Sequence, residues 1–296
     1  MILIGTSGWS HAAWVGPFYP VSLRDASDEW LAYYASRFQC VELSSTFDAL
    51  PGEDLVADWC RQGIDLANAG YPFEFSLKMP REVTHDALAK GDVQRAWELA
   101  ARFERQVLDP LSDEGLLGAV LVQLPPRLEP HSGVLHTLTE ALSALAGRSV
   151  AIELRDPAWV TSDGHVVDEA LDLFRSPDVC LAELDGPSMP NVASPSTARH
   201  SYVRFHGRRE DRWRNDTGAT DKQDGARYDH LYSTEELAPW ASHAAKLEAD
   251  DRIVRMFFNN TPHAQAAVNA VEMLHLLGEG QTIPRPRLTK QTQLPG

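Results

Sequence analysis

The chain of 296 residues has few cysteines, no long apolar stretch and fewer basic than acidic residues. Its three cysteines, Cys40, Cys60 and Cys180, are scattered and form no CxxC pair, which argues against disulfides and a structural zinc site. No apolar run of about 18 residues occurs, so no membrane span is predicted. The N-terminal MILIGTSGW lacks the basic and long apolar segments of a signal peptide. We therefore expect a cytoplasmic protein.

The charge balance is 27 Lys and Arg against 42 Asp and Glu, a net charge of −15. A chain this acidic is poorly suited to binding nucleic acid, because contacts to phosphate dominate that affinity. A locally basic cleft could still bind it, so nucleic acid is a disfavoured partner rather than an excluded one. The simplest consequence of the charge is solubility. The sequence gives no oligomeric state.

Short apolar or β-branched runs recur along the chain and predict strands. They span residues 2–6, 40–44, 73–78, 119–124, 149–154, 179–184, 202–207 and 253–258. Most of the gaps between them carry an amphipathic helical pattern, at 27–38, 93–111, 133–145, 166–177, 233–248 and 261–278. Eight strands alternating with helices predict an α/β fold, a TIM-like (β/α)8 barrel. We predict one domain over residues 1–282 and a Pro-rich polar tail over 283–296.

Three helices carry recognisable end signals. Ser27 is a candidate cap of the first, and Ser233 with Glu236 has the spacing of a capping box. In the last helix Thr261 is the predicted cap, Pro262 the first helical residue and Gly278 a residue past the end.

An open doubly wound sheet is the alternative fold, and it would need a Gly-rich turn after one strand. GTSGW at residues 5–9 is the nearest match and is not GxGxxG. The connection between strands six and seven, residues 185–201, has no helical pattern and is predicted to be irregular. The barrel prediction tolerates that missing helix.

The segment after strand seven, residues 207–233, is long, charged and interrupted by glycines. Loops longer than about 15 residues are usually functional or disordered, so this one is a candidate lid or a solvated insertion. Phosphate sites in such barrels often form near strands seven and eight. Local positive charge comes from Arg208, Arg209, Arg212 and Arg214.

Polar and charged side chains follow most predicted strands at their C-terminal ends, where a barrel of this type carries its active site. Our candidates there are Trp9, Glu42, Thr46, Phe47, Lys78, Gln123, Glu153, Arg155, Arg204, His206, Asn259, Asn260 and His263. Charges near a barrel core must be paired or functional, because burying a lone charge is costly. Their concentration at the strand ends favours a binding or catalytic site.

These side chains suit a site that binds an anion and moves a proton. Glu42 or Glu153 would be the general acid or base, and His206 would be a second proton carrier. The cations that would bind the anion are Lys78, Arg155 and Arg204. Lys78 could also be an amine nucleophile. The carboxylates could instead only orient the cations through ion pairs.

No cofactor is predicted. The residues able to ligate a divalent ion are Glu42, Glu153, Asp185 and His206. The sequence has no HxH or HExxH, and the cations Lys78 and Arg155 on neighbouring strands would oppose a bound ion. A divalent metal therefore stays a secondary alternative.

Eight ordered motifs resemble a known family, the YecE-like proteins (domain of unknown function 72). They are IGTSGWSHAAWVGPFYP, VELSSTFDALP, FSLKMPREVTH, LVQLPP, AIELRDPAW, YVRFHGR, YSTEEL and FFNNTPHAQAAVNA, and they extend from about residue 2 to about 277. The resemblance implies a TIM-like barrel and implies no activity. It points to all of the candidates above, and it adds Gly8, His85, Gly207 and Asn269.

Three functions remain open. The leading hypothesis is an enzyme that acts on a small anionic substrate, phosphorylated or carboxylated and possibly sugar-derived. The reaction is undetermined between hydrolysis, isomerisation and lyase chemistry. A nucleic-acid binding or processing protein is the first alternative, and a non-catalytic metabolite-binding barrel is the second. Fold alone does not separate them.

Overall fold

The structure is a computed structural model, and it describes residues 1–187, 192, 197–213, 225–250 and 252–280. Its strands are β1 (Ile2–Thr6), β2 (Cys40–Leu43), β3 (Glu74–Lys78), β4 (Leu117–Gln123), β5 (Val150–Glu153), β6 (Val179–Asp185), β7 (His200–Phe205) and β8 (Ile253–Phe258). All eight predicted strands are present. The limits of β1 and β8 agree with the sequence to the residue.

The α-helices are α1 (Trp30–Ala35), α2 (Ser45–Asp48), α3 (Glu53–Asn68), α4 (Val93–Phe103), α5 (Asp109–Asp113), α6 (Ser132–Ser143), α7 (Glu210–Trp213), α8 (Thr234–Ala249) and α9 (Gln265–Leu276). Two π-helical turns, Glu82–Ala87 and Glu104–Leu108, flank α4. Short 3-10 helices occur at Ala12–Trp14, Val21–Leu23, Ser27–Glu29, Leu88–Lys90, Pro157–Trp159, Asp168–Phe174, Gly225–Tyr228 and Pro262–Ala264. None of the described helices combines the length and apolarity needed to cross a bilayer.

The strands form one eight-stranded sheet in the order β1-β8-β7-β6-β5-β4-β3-β2. The pairs β1/β8, β3/β4, β4/β5 and β5/β6 are parallel. Parallel neighbours joined by helical crossovers, in this order, are the arrangement of a (β/α)8 barrel. The predicted fold class is therefore confirmed.

The chain consists of two compact units. Unit 1 comprises Met1–Val41, Leu184–Ser188 and Val203–Gly296, and unit 2 comprises Glu42–Glu183 and Met189–Tyr202. The single domain predicted over residues 1–282 stays a prediction. The predicted tail, 283–296, lies outside the described residues.

Aromatic rings fill much of the core of unit 1. Phe205 and Phe258 stack with their centroids 4.3 Å apart. The hydroxyl of the fully buried Tyr34 accepts a hydrogen bond from the Thr6 amide and donates one to the carbonyl of Cys40. This phenol therefore ties β1 to the first residue of β2, in addition to filling space.

Aliphatic and aromatic side chains of the central strands form the core of unit 2. Leu121 on β4 and Ile152 on β5 are fully buried, as is Phe75 on β3. Strands covered on both faces are expected to be nearly continuous apolar runs, which is how β4 and β5 read in the sequence.

Two predicted helices are shorter or tighter than the sequence suggested. The pattern at 166–177 forms a 3-10 helix at Asp168–Phe174, whose buried Ala170 and Leu173 follow the three-residue repeat of that helix. The pattern at 27–38 begins as a 3-10 turn and becomes α-helical only at Trp30. Ser27 is therefore not the cap of α1.

The long helix predicted at 93–111 is divided into α4, a π-helical turn and α5. The 16-residue α3 was not among the predicted helices. The predicted capping box of α8 is confirmed, because the Ser233 side chain accepts from the amide of Glu236 and the Glu236 side chain accepts from the amide of Ser233.

The last helix begins later than predicted. Pro262–Ala264 form a 3-10 turn, and α9 starts at Gln265. His263 (φ 55°) and Ala264 (φ 62°) both have left-handed backbone conformations. Such conformations are uncommon for residues other than glycine, and they separate the turn from the helix. Thr261 therefore precedes the turn, and His263 is not in the first turn of α9. Gly278 follows the helix end with φ 81°, as predicted.

The two connections singled out in the sequence are only partly described. Between β6 and β7, residues 186, 187, 192 and 197–199 lie outside any helix, in agreement with the predicted irregular connection. In the candidate lid, α7 and the turn Gly225–Tyr228 are described, and residues 214–224 lie outside the described residues.

Gly5 on β1 lies in very close contact with the backbone of Cys40. A Cβ atom built at this position would lie 2.2 Å from the carbonyl oxygen of Cys40. The obstacle is backbone, which cannot rotate away as a flexible side chain could. Only glycine fits here without moving a strand.

We expect Gly5→Ala to lower the free energy of unfolding by about 2 kcal/mol or more, because overpacking a rigid site costs on the order of 1–3 kcal/mol. Urea denaturation measures the change. Gly225→Ala is the control, since a Cβ there meets nothing within 4 Å. It should stay within about 0.5 kcal/mol of the parent. Equal stability of the two variants would contradict the close approach.

Candidate functional site

Ionisable and polar side chains gather at the C-terminal ends of four neighbouring strands in unit 2. We call them the β2–β5 cluster, and its members are Glu42, Lys78, Gln123, Glu153 and Arg155. Lys78, Gln123 and Glu153 are the last residues of β3, β4 and β5, and Glu42 is the last but one of β2. The side chains of all five are at most 8% exposed.

Strand register explains why sequence-distant residues meet in this cluster. Gln123 is the pairing partner of Glu153, and Lys78 is paired with Leu121, two residues before Gln123. Residues two apart on a strand point to the same face. The strand ends therefore present Lys78, Gln123 and Glu153 as a row along one edge of the sheet.

Glu42 is a fully buried carboxyl group with identified donors. The hydroxyl of Tyr202, on β7, donates to Oε2 at 2.7 Å, and Ser44 donates to Oε1 at 3.3 Å. Burying a carboxyl group is tolerable when such hydrogen bonds replace those of water. These two hydrogen bonds also hold Glu42 in one orientation, which a proton-transferring group would require.

Glu153 and Arg155 form a buried ion pair. Arg155 Nε lies 2.7 Å from Glu153 Oε1, and the two side chains are 8% and 0% exposed. An ion pair this buried costs much desolvation, so it is weak evidence for stability alone.

Lys78 stands over an aromatic ring. Its Nζ lies 3.7 Å from the ring centroid of Phe47, on α2, in a cation–π contact. Thr46 anchors α2 to the ends of β2 and β3, because its hydroxyl contacts the carbonyl of Lys78 at 2.6 Å and that of Leu43 at 3.0 Å. The structure thus gives Thr46, predicted to bind substrate, a backbone contact that positions Phe47.

His85 lies in the π-helical turn that follows β3. Its ring packs edge-on against Phe47 with a centroid distance of 4.9 Å, and its Nδ1 is 2.9 Å from the Thr84 hydroxyl. Burial lowers the pKa of His85 to about 4, assisted by the charges of Lys78, Arg81 and Arg155 and opposed by Asp86. The imidazole is therefore neutral at pH 7, in a locally positive field.

A second group of predicted residues lies in unit 1, around the end of β7. Arg204 Nη1 is 3.4 Å from His206 Nε2, and Asn259 Nδ2 is 3.1 Å from His206 Nδ1. A guanidinium only donates, so Arg204 and the amide nitrogen of Asn259 both approach the ring as donors, and the tautomer of His206 decides which ring nitrogen accepts.

The Asp185 carboxylate in unit 1 accepts hydrogen bonds from several side chains, and the sequence did not predict these contacts. Arg208 donates to Asp185 through Nε (2.8 Å) and Nη2 (2.6 Å), Trp240 Nε1 donates at 2.7 Å, and the hydroxyl of Tyr232 donates at 2.9 Å. We call these four residues the Asp185 clasp. The Tyr232 hydroxyl also accepts from the amide of Gly207.

The charge state of the clasp follows from these contacts. Burial raises the pKa of Asp185, but hydrogen bonds from Arg208, Trp240 and Tyr232 and the charge of Arg208 outweigh it, so the pKa is lower than usual. Burial and the Asp185 charge raise the pKa of Tyr232 well above its usual value. Asp185 is therefore an anion and Tyr232 a neutral donor at pH 7.

The side-chain amides of Asn260 and Asn269, which follow β8, form a chain of hydrogen bonds. Asn269 Oδ1 accepts from the Tyr232 amide at 3.1 Å, and its Nδ2 donates to the Tyr232 carbonyl at 2.8 Å. Asn260 Nδ2 donates to Asn269 Oδ1 and to the carbonyl of His230, both at 2.8 Å. Asn260, predicted to bind substrate, is fully buried and anchors the segment around residue 230.

The two remaining predicted residues, Trp9 and His263, are half-buried. The carbonyl of Trp9 accepts from the Tyr19 hydroxyl at 2.6 Å. Trp14 Nε1 donates to the carbonyl of Thr261 at 3.0 Å and so holds the turn that carries His263. The predicted substrate contacts of both residues stay predictions.

The metal alternative requires a cluster of ligating side chains. Across the described part of the chain, no group of three or more His, Cys, Asp or Glu side chains is arranged to hold a metal ion. Asp185, one of the possible ligands, is instead taken up by the clasp.

A surface groove of about 470 Å³ lies elsewhere in unit 2, between α3 and α5. It is lined by Ala57, Cys60, Arg61, Ile64, Asp65, Pro110, Asp113 and Glu114. None of the predicted site residues is among them. Volume alone does not define a site, and the buried charges at the strand ends are the better guide.

Sequence reasoning passed over several of these residues. Tyr232 and Trp240 did not appear among the candidates, and Asp185 was considered only as a metal ligand. The family resemblance points to His85 but implies no role for it. A signal was present for Tyr232, which begins the motif YSTEEL. Trp240 gave none, since an aromatic residue in an amphipathic helix usually belongs to the core.

Buried ionisable groups at the C-terminal strand ends of a (β/α)8 barrel define a barrel protein with a candidate active site in the position usual for that fold. The chain belongs to the family described as "Protein of unknown function DUF72", whose model matches residues 3–293. The resemblance to the YecE-like proteins is thereby confirmed.

Relatives are found among curated proteins and solved structures. The chain is 26% identical to the UPF0759 protein YunF of Bacillus subtilis (strain 168), covering 94% of this chain and 95% of that one. It is 31% identical to the UPF0759 protein YecE of Escherichia coli (strain K12) over 54% of this chain and 50% of the relative. A crystal structure of a DUF72 family protein from Thermotoga maritima MSB8 has a TM-score of 0.77 and 29% identity, covering 94% of this chain and all of that one.

Replacing Asp185 by Asn should lower the free energy of unfolding at pH 7 by about 2–4 kcal/mol, because charge-assisted hydrogen bonds are lost and Arg208 keeps its charge. The folded pKa of Asp185 is depressed, so this stabilisation is present above its usual pKa and is lost as pH falls through the folded pKa. The difference between parent and variant should shrink accordingly in acid.

Urea denaturation at several pH values tests this expectation. Asp172→Asn is the control, because the Asp172 side chain is 80% exposed in its pair with Arg175. Its effect should be within about 0.5 kcal/mol. A loss in Asp185→Asn no greater than in Asp172→Asn would show that the clasp is not a stabilising centre.

Proposed function

We propose that this protein is an enzyme that acts on a small anionic substrate, phosphorylated or carboxylated, and that the β2–β5 cluster binds it. The observation that carries the proposal is the buried Lys78, whose ammonium lies over the Phe47 ring at the end of β3. An ammonium group is expensive to bury, and this position is where the fold commonly places catalytic groups.

The local field supports an anionic ligand. The whole chain is strongly acidic, yet the charges of Lys78, Arg81 and Arg155 act together on His85. A substrate carboxylate or phosphate would be attracted to this part of the molecule more than to its surroundings. Arg155 has the fork geometry that pairs with such groups in bidentate fashion.

The carboxyl groups supply the proton chemistry in this proposal. Glu42 is oriented by Tyr202, and Glu153 is held by Arg155 at 2.7 Å. Either group is a general acid or base on a substrate bound between the cations and the carboxylates. Gln123, beside Glu153 in the register, contributes an amide that both donates and accepts. The roles predicted for Arg204, His206, Asn259, Asn260 and His263 stay predictions.

A thermal-shift panel of sulfate, phosphate, phosphorylated sugars, small carboxylic acids, and short DNA and RNA tests the proposal. A ligand at about 100 times its dissociation constant stabilises by roughly 2.7 kcal/mol, so a binder raises Tm by several degrees. We expect at least one anion to do so in the parent. Lys78→Gln, which keeps a polar side chain and loses the charge, should abolish the shift.

Lys90→Gln is the matched control, because Lys90 is an exposed lysine of the same unit. It should keep the full shift. An anion shift that persists in Lys78→Gln would contradict the assigned site. A shift produced only by nucleic acid would contradict the substrate class.

A further inference from the structure

His85 lies beside the proposed anion site, in the position of a reacting group. It lies seven residues beyond the end of β3, in the π-helical turn Glu82–Ala87. Single π-helical turns occur frequently at functional sites. Its ring and the ammonium of Lys78 contact the same Phe47 side chain. The imidazole is thus fixed beside the proposed anion site.

The hydrogen bonds of His85 leave one ring nitrogen available. Nδ1 is held 2.9 Å from the hydroxyl of the buried Thr84. In the described part of the chain no hydrogen bond to Nε2 is found, and the residue is half-buried, so part of it reaches solvent. When Nδ1 carries the proton and donates to Thr84, Nε2 is a free acceptor.

The charges around this ring come from three places in unit 2. Lys78 belongs to β3, Arg155 follows β5, and Arg81 and Asp86 flank His85 on its own turn. Arg81 and Asp86 lie 3.8 Å apart and are about half exposed, so they screen each other weakly. Lys78 and Arg155 are the buried cations, and they are the ones proposed to bind the substrate anion.

We propose that His85 is the general base of the site, with Glu42 or Glu153 as the general acid, and that a bound anion raises the affinity of His85 for a proton. The idea rests on the proposed function and deepens it, because it makes the site one that binds a dianion and removes a proton from it. Phosphate monoesters and dicarboxylates are the substrate classes that meet this description.

Anion binding and protonation of His85 are coupled by the same electrostatics that keep the imidazole neutral at pH 7. Lys78 and Arg155 disfavour a proton on His85, and a bound anion offsets their charge at the ring. The pKa of His85, about 4 without an anion, then moves towards its usual value of 6.5. By linkage, whatever favours the proton when the anion is bound must favour the anion when the proton is bound.

The chemical step is a proton transfer and needs no other reactant. The lone pair of Nε2 takes a proton from an acidic O–H or C–H group of the bound substrate. The substrate becomes one unit more negative and the imidazole becomes an imidazolium. Lys78 and Arg155 stabilise the added charge, and the proton returns to product or solvent at the end of the cycle.

Inorganic sulfate is the probe for the test, because it stays a dianion over the working pH range and any pH dependence belongs to the protein. Isothermal titration calorimetry in buffers of different ionisation heat gives affinity and proton uptake together. If bound sulfate restores the pKa of His85 to 6.5, the affinity at about pH 6 should be about fourfold that at about pH 8. Nitrogen-15 spectra of labelled histidine should show the His85 resonance titrating at higher pH with sulfate present.

Two variants separate this inference from the proposed function. His85→Gln should lose proton uptake and the fourfold pH dependence. Lys78→Gln should weaken sulfate binding by about tenfold or more at every pH, the loss of one charged contact. The control is His136→Gln, an exposed histidine on α6, which should behave as the parent. Circular dichroism confirms that each variant is folded.

Binding without proton uptake, or uptake that survives in His85→Gln, overturns the role of His85 and leaves the anion site standing. Binding that is unaffected in Lys78→Gln, or no binding of sulfate by the parent, overturns the anion site and the His85 proposal with it.

Discussion

The carboxylate of Asp185 is bonded by donors from three segments that are distant in the sequence. Arg208 follows β7, Tyr232 precedes α8, and Trp240 lies within that helix. Tyr232 passes the connection on, since its backbone is held by Asn269 and through it by Asn260 after β8. The ends of β6, β7 and β8 in unit 1 are therefore arranged around one buried charge. Removing it leaves several polar groups unsatisfied at once, which is more costly than losing a single hydrogen bond.

Unit 2 uses buried charge differently. Its strand ends present cations and carboxylates in adjoining positions, and the ion pair of Glu153 with Arg155 and the contact of Lys78 with Phe47 fix their geometry. A catalytic group must be held in place before substrate arrives, because orientation supplies much of the rate. The β-sheet holds the side chains of the β2–β5 cluster in such an order.

The hydrophobic pattern was sufficient to predict the strands of the sheet. Short buried apolar runs such as AVLVQL and IVRMFF are typical of strands that are covered on both faces in an α/β chain. The left-handed residues His263 and Ala264 were not predictable, since no side-chain pattern reports the sign of φ. The strand-end rule located Lys78 and Glu153 correctly at the ends of β3 and β5. It could not find the four donors of Asp185 or the protonation state of His85, because both depend on contacts between residues far apart in the chain.

The clasp has a consequence for how the chain tolerates change in length. Arg208 and Tyr232 bound one long insertion, and both are attached to the same carboxylate, so its two ends are joined by Asp185. Loop closure entropy grows only slowly with length, and each doubling adds about 0.6 kcal/mol. Residues can therefore be gained or lost between these anchors with little effect on the barrel.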